Sequence, residues 1–153
     1  MLDAIFDHLD QDGIDVSWFL LDHVCYRVST LEEYSQMKEI FAWYGKILKD
    51  EKMIAGRPIA TYKLHEPIIY RKREIPCVEI PAPKVGSPYP SGWEHAEFVI
   101  EGTLEDFMSR YPHIRWKTDS IHKPINPEIA RIYGGFSVKF HTHDLEYVIM
   151  ELE

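Results

Sequence analysis

An internal repeat constrains this chain more than any other feature of its sequence. Two segments follow the same order of a strand, an amphipathic helix and further strands, and each opens on a histidine, His23 in the first and His95 in the second. The predicted strands of the first segment cover residues 22–28, 46–49, 59–65 and 77–80. Those of the second cover residues 94–100, 114–117, 136–141 and 147–152. Because neither segment can bury a sheet face alone, we expect an α+β fold in which two βαβββ modules pair.

Helix and crossover signals lie around these strands. In the first segment Thr30 stands three positions before Glu33, which is the pattern of a capping box, and apolar residues follow at helical spacing. A similar helix restarts after Thr103 in the second segment. Between the segments the chain is rich in proline, which excludes a regular helix or a central strand. We expect one domain with four parts: an N-terminal helical arm at 1–20, a first module at 21–82, a Pro-rich crossover at 83–92 and a second module at 93–153.

Charge and composition exclude several classes of partner. The 153 residues carry a formal net charge of −8, whereas a nucleic-acid surface needs clustered lysine and arginine. No apolar run approaches the roughly 20 residues that span a bilayer, and no early stretch has the pattern of a signal peptide. Cys25 and Cys77 are too few for a disulfide framework. We therefore expect a cytoplasmic protein, a monomer or homodimer, with no nucleic-acid or membrane partner.

Strand parity separates an apolar face from a polar one, because successive strand residues point to opposite sides of a sheet. We also align the strand at 61–65 with the strand at 136–141, since Lys63 and Lys139 then coincide. Half of the eight histidines fall on the polar face, more than a solvent-facing sheet surface usually carries. This polar face is predicted to line a cup, and its titratable residues are His23, Arg27, Lys63, His65, Glu79, His95, Glu97, Lys139, His141 and Glu146.

At these residues the chain resembles the vicinal oxygen chelate superfamily and, within it, the YecM family of bacterial proteins. The resemblance runs from about residue 22 to residue 146, and its motifs are specific when taken together. They are Asp22-His23, Gly56-Arg57-Pro58, Lys63-Leu64-His65-Glu66-Pro67, Val78-Glu79-Ile80-Pro81, Gly92-Trp93-Glu94-His95, Asn126-Pro127, Lys139-Phe140-His141 and Leu145-Glu146. The resemblance implies that the curled mixed sheets of the two modules pair around a shared cleft.

The resemblance also implies a divalent metal. Mapped by position, the superfamily's ligands become His23, Glu79, His95 and a carboxylate on the last strand. Strand parity favours Glu146 for that fourth place, whereas spacing from the preceding strand favours Glu151. Two histidines with one or two carboxylates suit Zn²⁺, Fe²⁺, Mn²⁺ or Ni²⁺. A carboxylate that the metal does not need, Glu79 or Glu146, is then a candidate catalytic base.

Further polar side chains are candidates for binding a small-molecule ligand. Cationic residues at 27, 57, 63 and 139 suit an organic anion, or else neutralise the carboxylates of the polar face. The remaining two polar-face histidines suit ligand orientation, substrate contact or a structural hydrogen bond. The predicted substrate-binding residues are Arg27, Arg57, Lys63, His65, Lys139 and His141.

Three function classes follow from this pattern. The leading one is a metal-dependent isomerase, lyase or oxygenase acting on a small anionic, oxygen-rich substrate. The second is a small-molecule binding or sequestration protein without turnover. The third is a scaffold that has lost its metal and holds its histidines in a hydrogen-bonded network. Fold analogy alone does not choose among them.

Overall fold

A computed structural model describes residues 1–54 and 56–153, with side chains from residue 50 to residue 54 outside that description. The fold is mixed α+β. Its helices are α1 (Leu2–Asp12), α2 (Leu31–Tyr44), α3 (Leu104–Ser109) and α4 (Leu145–Tyr147), and α4 runs into a π-helix (Val148–Leu152). Its strands are β1 (Leu20–Arg27), β2 (Gly45–Ile54), β3 (Arg57–Tyr70), β4 (Arg73–Pro81), β5 (Gly92–Val99), β6 (Glu128–Tyr133) and β7 (Phe136–His141). The chain divides into two compact units, a first unit of residues 23–94 and a second unit of residues 1–22 and 95–153.

The first unit has the predicted order of one strand, one helix and three strands. Its sheet runs β2-β3-β4-β1, with β3 antiparallel to both of its neighbours and β1 parallel to β4. Helix α2 begins as the capping pattern predicts, because the Thr30 hydroxyl accepts a hydrogen bond from the Glu33 backbone N–H at 3.0 Å. The Phe41 ring of α2 packs 6.1 Å from the Tyr62 ring of β3, which fixes the helix against the sheet.

The second unit repeats this plan around a small aromatic core. Its strands run β5-β7-β6, with β5 parallel to β7 and β6 antiparallel to β7. Helix α3 begins at Thr103, whose hydroxyl accepts a hydrogen bond from the Asp106 backbone N–H at 3.1 Å. The fully buried rings of Phe98, Phe107 and Phe140 meet at centroid distances of 4.7 and 5.8 Å.

The structure corrects two predicted strands of the second unit and adds one strand that was not predicted. The strand at 114–117 is reduced to a single bridge between Lys117 and Ala130. The sequence reading missed β6, which a two-residue Gly134-Gly135 turn joins to β7, with Gly134 at φ 62°. The predicted last strand is helical, because the Asp144 carboxylate caps it by accepting from the Tyr147 N–H at 2.8 Å.

The missed β6 also shifts the internal alignment of the repeat. β7 pairs with the opening strand β5 in parallel, as β4 pairs with β1, so β7 corresponds to β4. The alignment of residues 61–65 with β7 was therefore wrong. In the corrected register Cys25 lies opposite Glu79, and Glu97 lies opposite Lys139. Lys139 thus occupies the repeat position of Glu79. In the second unit the corresponding carboxylate is that of Glu97, on the opening strand β5.

Among the described residues, no helix combines the length and the apolar character that crossing a membrane requires.

Candidate metal site

The first unit holds a histidine and a carboxylate side by side. His23 lies on β1 and Glu79 on the neighbouring parallel strand β4, where the register places Glu79 opposite Cys25. His23 and Cys25 share one side of the strand, so the side chains of His23 and Glu79 lie on the same face of the sheet. His23 Nε2 is 3.5 Å from Glu79 Oε2. The His23 side chain is 1% exposed and that of Glu79 15%, so the pair is buried at the imidazole and reaches solvent at the carboxylate.

The second unit holds a similar pair on one strand. His95 and Glu97 stand two positions apart on β5, so the strand pleat directs them to one face. His95 Nε2 lies 3.1 Å from Glu97 Oε1, and both side chains are buried. Sequence parity placed Glu97 on the polar face without giving it a ligand role, and this contact with His95 brings it into the candidate site.

Lys139 links Glu97 to a second carboxylate. Its ammonium lies 3.5 Å from Glu97 Oε1 and 3.3 Å from Glu128 Oε1. Lys123 Nζ also lies 3.4 Å from Glu128 Oε1, so the two carboxylates together have two ammonium partners. Because a buried charge is costly unless it is paired, the Lys139 ammonium stabilises the buried Glu97 carboxylate.

His141 extends the polar network of the second unit into its interior. This side chain is fully buried, with Nδ1 3.0 Å from Asn126 Oδ1 and 3.9 Å from Glu97 Oε2. On the other side of the ring, Nε2 lies 3.6 Å from Asp22 Oδ2. The same Asp22 oxygen accepts a hydrogen bond from the Leu145 backbone N–H at 3.0 Å. A continuous line of polar groups therefore runs from the backbone of α4 to Glu97.

The two His–carboxylate pairs fit the chemistry of a divalent metal. Two atoms bound to one ion at roughly 2.1 Å each, with an angle of about 90–110° between them, lie roughly 3.0–3.4 Å apart. The separations in the His95–Glu97 and His23–Glu79 pairs, 3.1 and 3.5 Å, are close to this range. The second exceeds the usual length of a direct N–H···O hydrogen bond. Imidazole and carboxylate donors suit Zn²⁺, Fe²⁺, Mn²⁺ or Ni²⁺.

The other predicted site residues differ in their burial and in the elements that carry them. Glu146 is half-buried on the helix α4 and Glu151 is exposed on the π-helix, so the strand parity that favoured Glu146 does not apply to them. His65 is exposed, because the pairing of β3 with β4 shifts between Lys63 and Ile68 and breaks the alternation of faces. Lys63 is half-buried opposite Cys77.

Arg27 and Arg57 come together around a residue that the sequence reading did not single out. The Arg27 guanidinium lies over the Tyr89 ring at 4.3 Å, and Arg57 Nη1 donates a hydrogen bond to the Tyr89 hydroxyl. Tyr89 stands between Pro88 and Pro90 in the crossover, for which the sequence predicts only a connection between the modules. The position of an aromatic residue between two prolines is the sequence signal that could have identified Tyr89.

Asp22 and Asn126, which contact His141, were also not predicted as site residues. The motifs Asp22-His23 and Asn126-Pro127 are the sequence signals that could have identified them.

Known structures of the same fold define the class of this protein. A methylmalonyl-CoA epimerase solved with methylmalonyl-CoA and NH4⁺ matches with a TM-score of 0.57 and 12% identity, over 84% of this chain and 97% of that one. The structural-genomics protein EC4020 matches with a TM-score of 0.79 and 28% identity, over 98% of this chain and 86% of that one. The chain therefore has the vicinal oxygen chelate fold of these epimerases.

Sequence comparison gives the family within this class. The YecM protein family matches residues 1–151. Protein YecM of Escherichia coli K12 is 31% identical over 155 aligned positions, which cover 90% of this chain and 80% of that protein. The chain belongs to the YecM family, as its sequence motifs predicted. Family and fold fit a metal-dependent small-molecule protein.

Proposed function

We propose that this protein is a divalent-metal-dependent isomerase, lyase or oxygenase that acts on a small, anionic, oxygen-rich substrate. The proposed ligands are His23 and Glu79 of the first unit with His95 and Glu97 of the second. Glu97 replaces Glu146 in this set because it contacts His95 directly. The observation that carries the proposal is that each unit presents a buried imidazole Nε2 to a carboxylate at a separation that suits ligands of one ion.

The donor chemistry favours one shared ion over two separate ones. A single His–carboxylate pair provides two donors, whereas protein sites for these metals commonly take three or four donors and catalytic sites keep one position for water or substrate. The two His–carboxylate pairs together provide four donors. When bound, such an ion polarises a substrate oxygen or lowers the pKa of a coordinated water.

The proposed roles of the individual side chains follow from their surroundings. Glu79 would be a ligand of the ion, and because its carboxylate reaches solvent it would also be placed to accept a proton from a substrate carbon and return it. Glu97 is held between Lys139 and His141, which suits a fixed ligand. Lys139 is already engaged by two carboxylates, so it serves charge balance in this proposal and not substrate binding.

The relatives support an organic anion as the substrate. A methylmalonyl-CoA epimerase of the same fold has been solved with methylmalonyl-CoA, a ligand that carries a carboxylate beside a thioester. A carbonyl oxygen beside an acidic carbon or a second oxygen is the kind of group that a metal with open positions polarises. By analogy, the substrate proposed here carries such a pair of oxygens together with a negative charge.

The test is the thermal stability of the metal-free protein against added metal. A ligand that binds only the folded state raises the melting temperature, with a stabilisation that grows with its concentration. At least one of Zn²⁺, Mn²⁺, Ni²⁺ and anaerobic Fe²⁺ is expected to do so for the wild type. His23→Ala and His95→Ala are each expected to abolish the shift, and His113→Ala, which removes an exposed histidine bonded to the Asp12 carbonyl, is expected to keep it. A shift that survives in both site variants contradicts the proposal.

Turnover separates an enzyme from a binding protein once metal binding is established. The metal-loaded protein is incubated with small acyl thioesters, 2-oxo acids and catechols, and product is followed by mass spectrometry with deuterium wash-in from the solvent. Glu79→Gln is expected to reduce exchange of a substrate proton more than it reduces metal affinity. Binding without exchange or product in any class would favour the sequestration function.

A further inference from the structure

We infer that Arg27, Tyr89 and Arg57 form an oxyanion site that holds the carboxylate or phosphate end of the substrate. The inference rests on the proposed function and adds to it a place and a chemical class for substrate recognition. It is carried by the convergence of two guanidinium groups on one tyrosine of the first unit.

The contacts of Arg27 hold its guanidinium in place while leaving it accessible. Its Nε lies 3.1 Å from Glu94 Oε2, and its Cζ lies 4.3 Å above the centre of the Tyr89 ring. The side chain is 26% exposed, so a solute can reach it. Stacking on an aromatic face fixes the plane of a guanidinium and leaves its edge for hydrogen bonding.

Arg57 approaches the same tyrosine from a different strand. Its Nη1 donates hydrogen bonds to the Ala82 carbonyl, at 3.1 Å, and to the Tyr89 hydroxyl. Its Cζ lies 5.9 Å from the centre of the ring. These contacts use Nε of Arg27 and Nη1 of Arg57, and in the inferred site a ligand accepts from the other nitrogens of each fork.

The charge around Tyr89 favours an anion. The two guanidinium groups are cationic, and Glu94 pairs with that of Arg27. Like charges that approach one ring repel each other, and an oxyanion that accepts from both removes that repulsion. Guanidinium forks match carboxylate and phosphate oxygens in bidentate geometry, which is why both anions are candidates.

The position of Arg27 also sets the length of the substrate. Arg27 and the proposed metal ligand His23 lie on the same face of β1, four residues apart. At the rise of a β-strand, this separation is roughly 13 Å. The substrate is therefore an extended molecule that presents reactive oxygens near His23 and a terminal oxyanion near Tyr89.

The test uses the full chain without metal, so that it does not depend on the metal site. EDTA-treated protein labelled with ¹⁵N is titrated with inorganic phosphate and, separately, with malonate, and the arginine Nε–H signals are followed by NMR. At least one of the two anions is expected to shift the Arg27 or Arg57 signal in a saturable manner. If only phosphate binds, the substrate has a phosphate end, and if only malonate binds, it has a carboxylate end. If both bind, the site accepts oxyanions in general. If neither anion binds, the inference is overturned.

Variants then separate this site from a general attraction of anions to arginine. Arg27→Lys and Arg57→Lys keep the charge but lose the fork, and each is expected to weaken binding at least about tenfold. Arg71→Ala is the matched control, since it removes an exposed arginine whose guanidinium lies 5.1 Å from the Tyr70 ring in the same unit. Unchanged binding in both lysine variants, or an equal loss in Arg71→Ala, contradicts the inference. Melting curves of every variant confirm that it is folded.

Discussion

His95 Nε2 lies 3.1 Å from Glu97 Oε1, although the two residues stand only two positions apart on one strand. The strand pleat alone brings their side chains to one face, and burial then keeps them together. A buried carboxylate in this position is favoured when a cation lies beside it. The same relationship is absent from the opening strand of the first unit, where Cys25 takes the place of Glu97 and Glu79 supplies the carboxylate from β4.

The first prediction concerns the fourth ligand. Glu97→Gln is expected to lower metal affinity by more than the roughly 10–100-fold that is typical of residues that only support a ligand. Glu146→Gln is expected to leave affinity within a few-fold of the wild type. Isothermal titration of the metal-free proteins measures both. A large loss in Glu146→Gln with little change in Glu97→Gln would return the fourth place to Glu146.

The second prediction concerns the residues behind Glu97. Asp22→Asn keeps an oxygen for the Leu145 N–H but removes the charge that faces His141. We expect metal affinity to fall by about 10–100-fold, because the line of groups that orients Glu97 is weakened. Asp144→Asn is the matched control, since Asp144 only caps α4. Equal affinities of the two variants would show that Asp22 has no part in holding the site.

The third prediction concerns acid stability. Burial opposes ionisation of Asp12, but hydrogen bonds from Arg131 and Tyr133 and the Arg131 charge outweigh it, so the pKa of Asp12 lies below its usual value of 3.8. A lowered pKa in the folded state adds stability that is present above the unfolded value and lost as the pH falls through the folded value. Asp12→Asn is therefore expected to cost about 1–3 kcal/mol at neutral pH and progressively less below about pH 4.

Urea unfolding at a series of pH values measures this difference. Asp119→Asn serves as the control, because its partner Lys117 lies 3.7 Å away in an exposed pair that is expected to contribute little. The account of Asp12 fails if the cost of Asp12→Asn stays constant from neutral pH to about pH 2.

The fourth prediction concerns the turn into β2. Gly45 has an extended backbone, and an added Cβ would lie 2.4 Å from the Lys63 carbonyl oxygen of the neighbouring strand. Gly45→Ala is expected to destabilise the protein by about 1–3 kcal/mol, since backbone and not a flexible side chain must move. Gly135→Ala, where nothing lies within 4 Å of the added atom, is expected to be nearly neutral. Chemical denaturation of both variants measures the change in the free energy of unfolding that each substitution causes.

The sequence was sufficient to predict most of the first unit. Its capping residues, apolar periodicities and strand alternation agree with one another, and all of its strands were found. Parity on β1 placed His23 on the polar face, and the family resemblance added Glu79 as its partner. The first of these required only local spacing, whereas the second required the family resemblance.

The second unit was predicted less well because its signals are mixed. Residues 145–152 alternate weakly, yet Leu145, Val148 and Ile149 are buried at helical spacing after an Asp cap. The Gly134-Gly135 turn that defines β6 was overlooked, and the repeat was consequently aligned one strand out of place. Contacts such as His141 with Asp22 join residues far apart in the chain, and no periodicity reveals them.

The most direct test of the central claim is the metal content of the protein purified without an affinity tag, measured by inductively coupled plasma mass spectrometry after reloading with the best-bound metal. We expect one divalent ion per chain for the wild type and for His113→Ala, and none for His23→Ala or His95→Ala. Two ions per wild-type chain with one lost in each site variant, or no ion in the wild type with any of the metals tested, would contradict it.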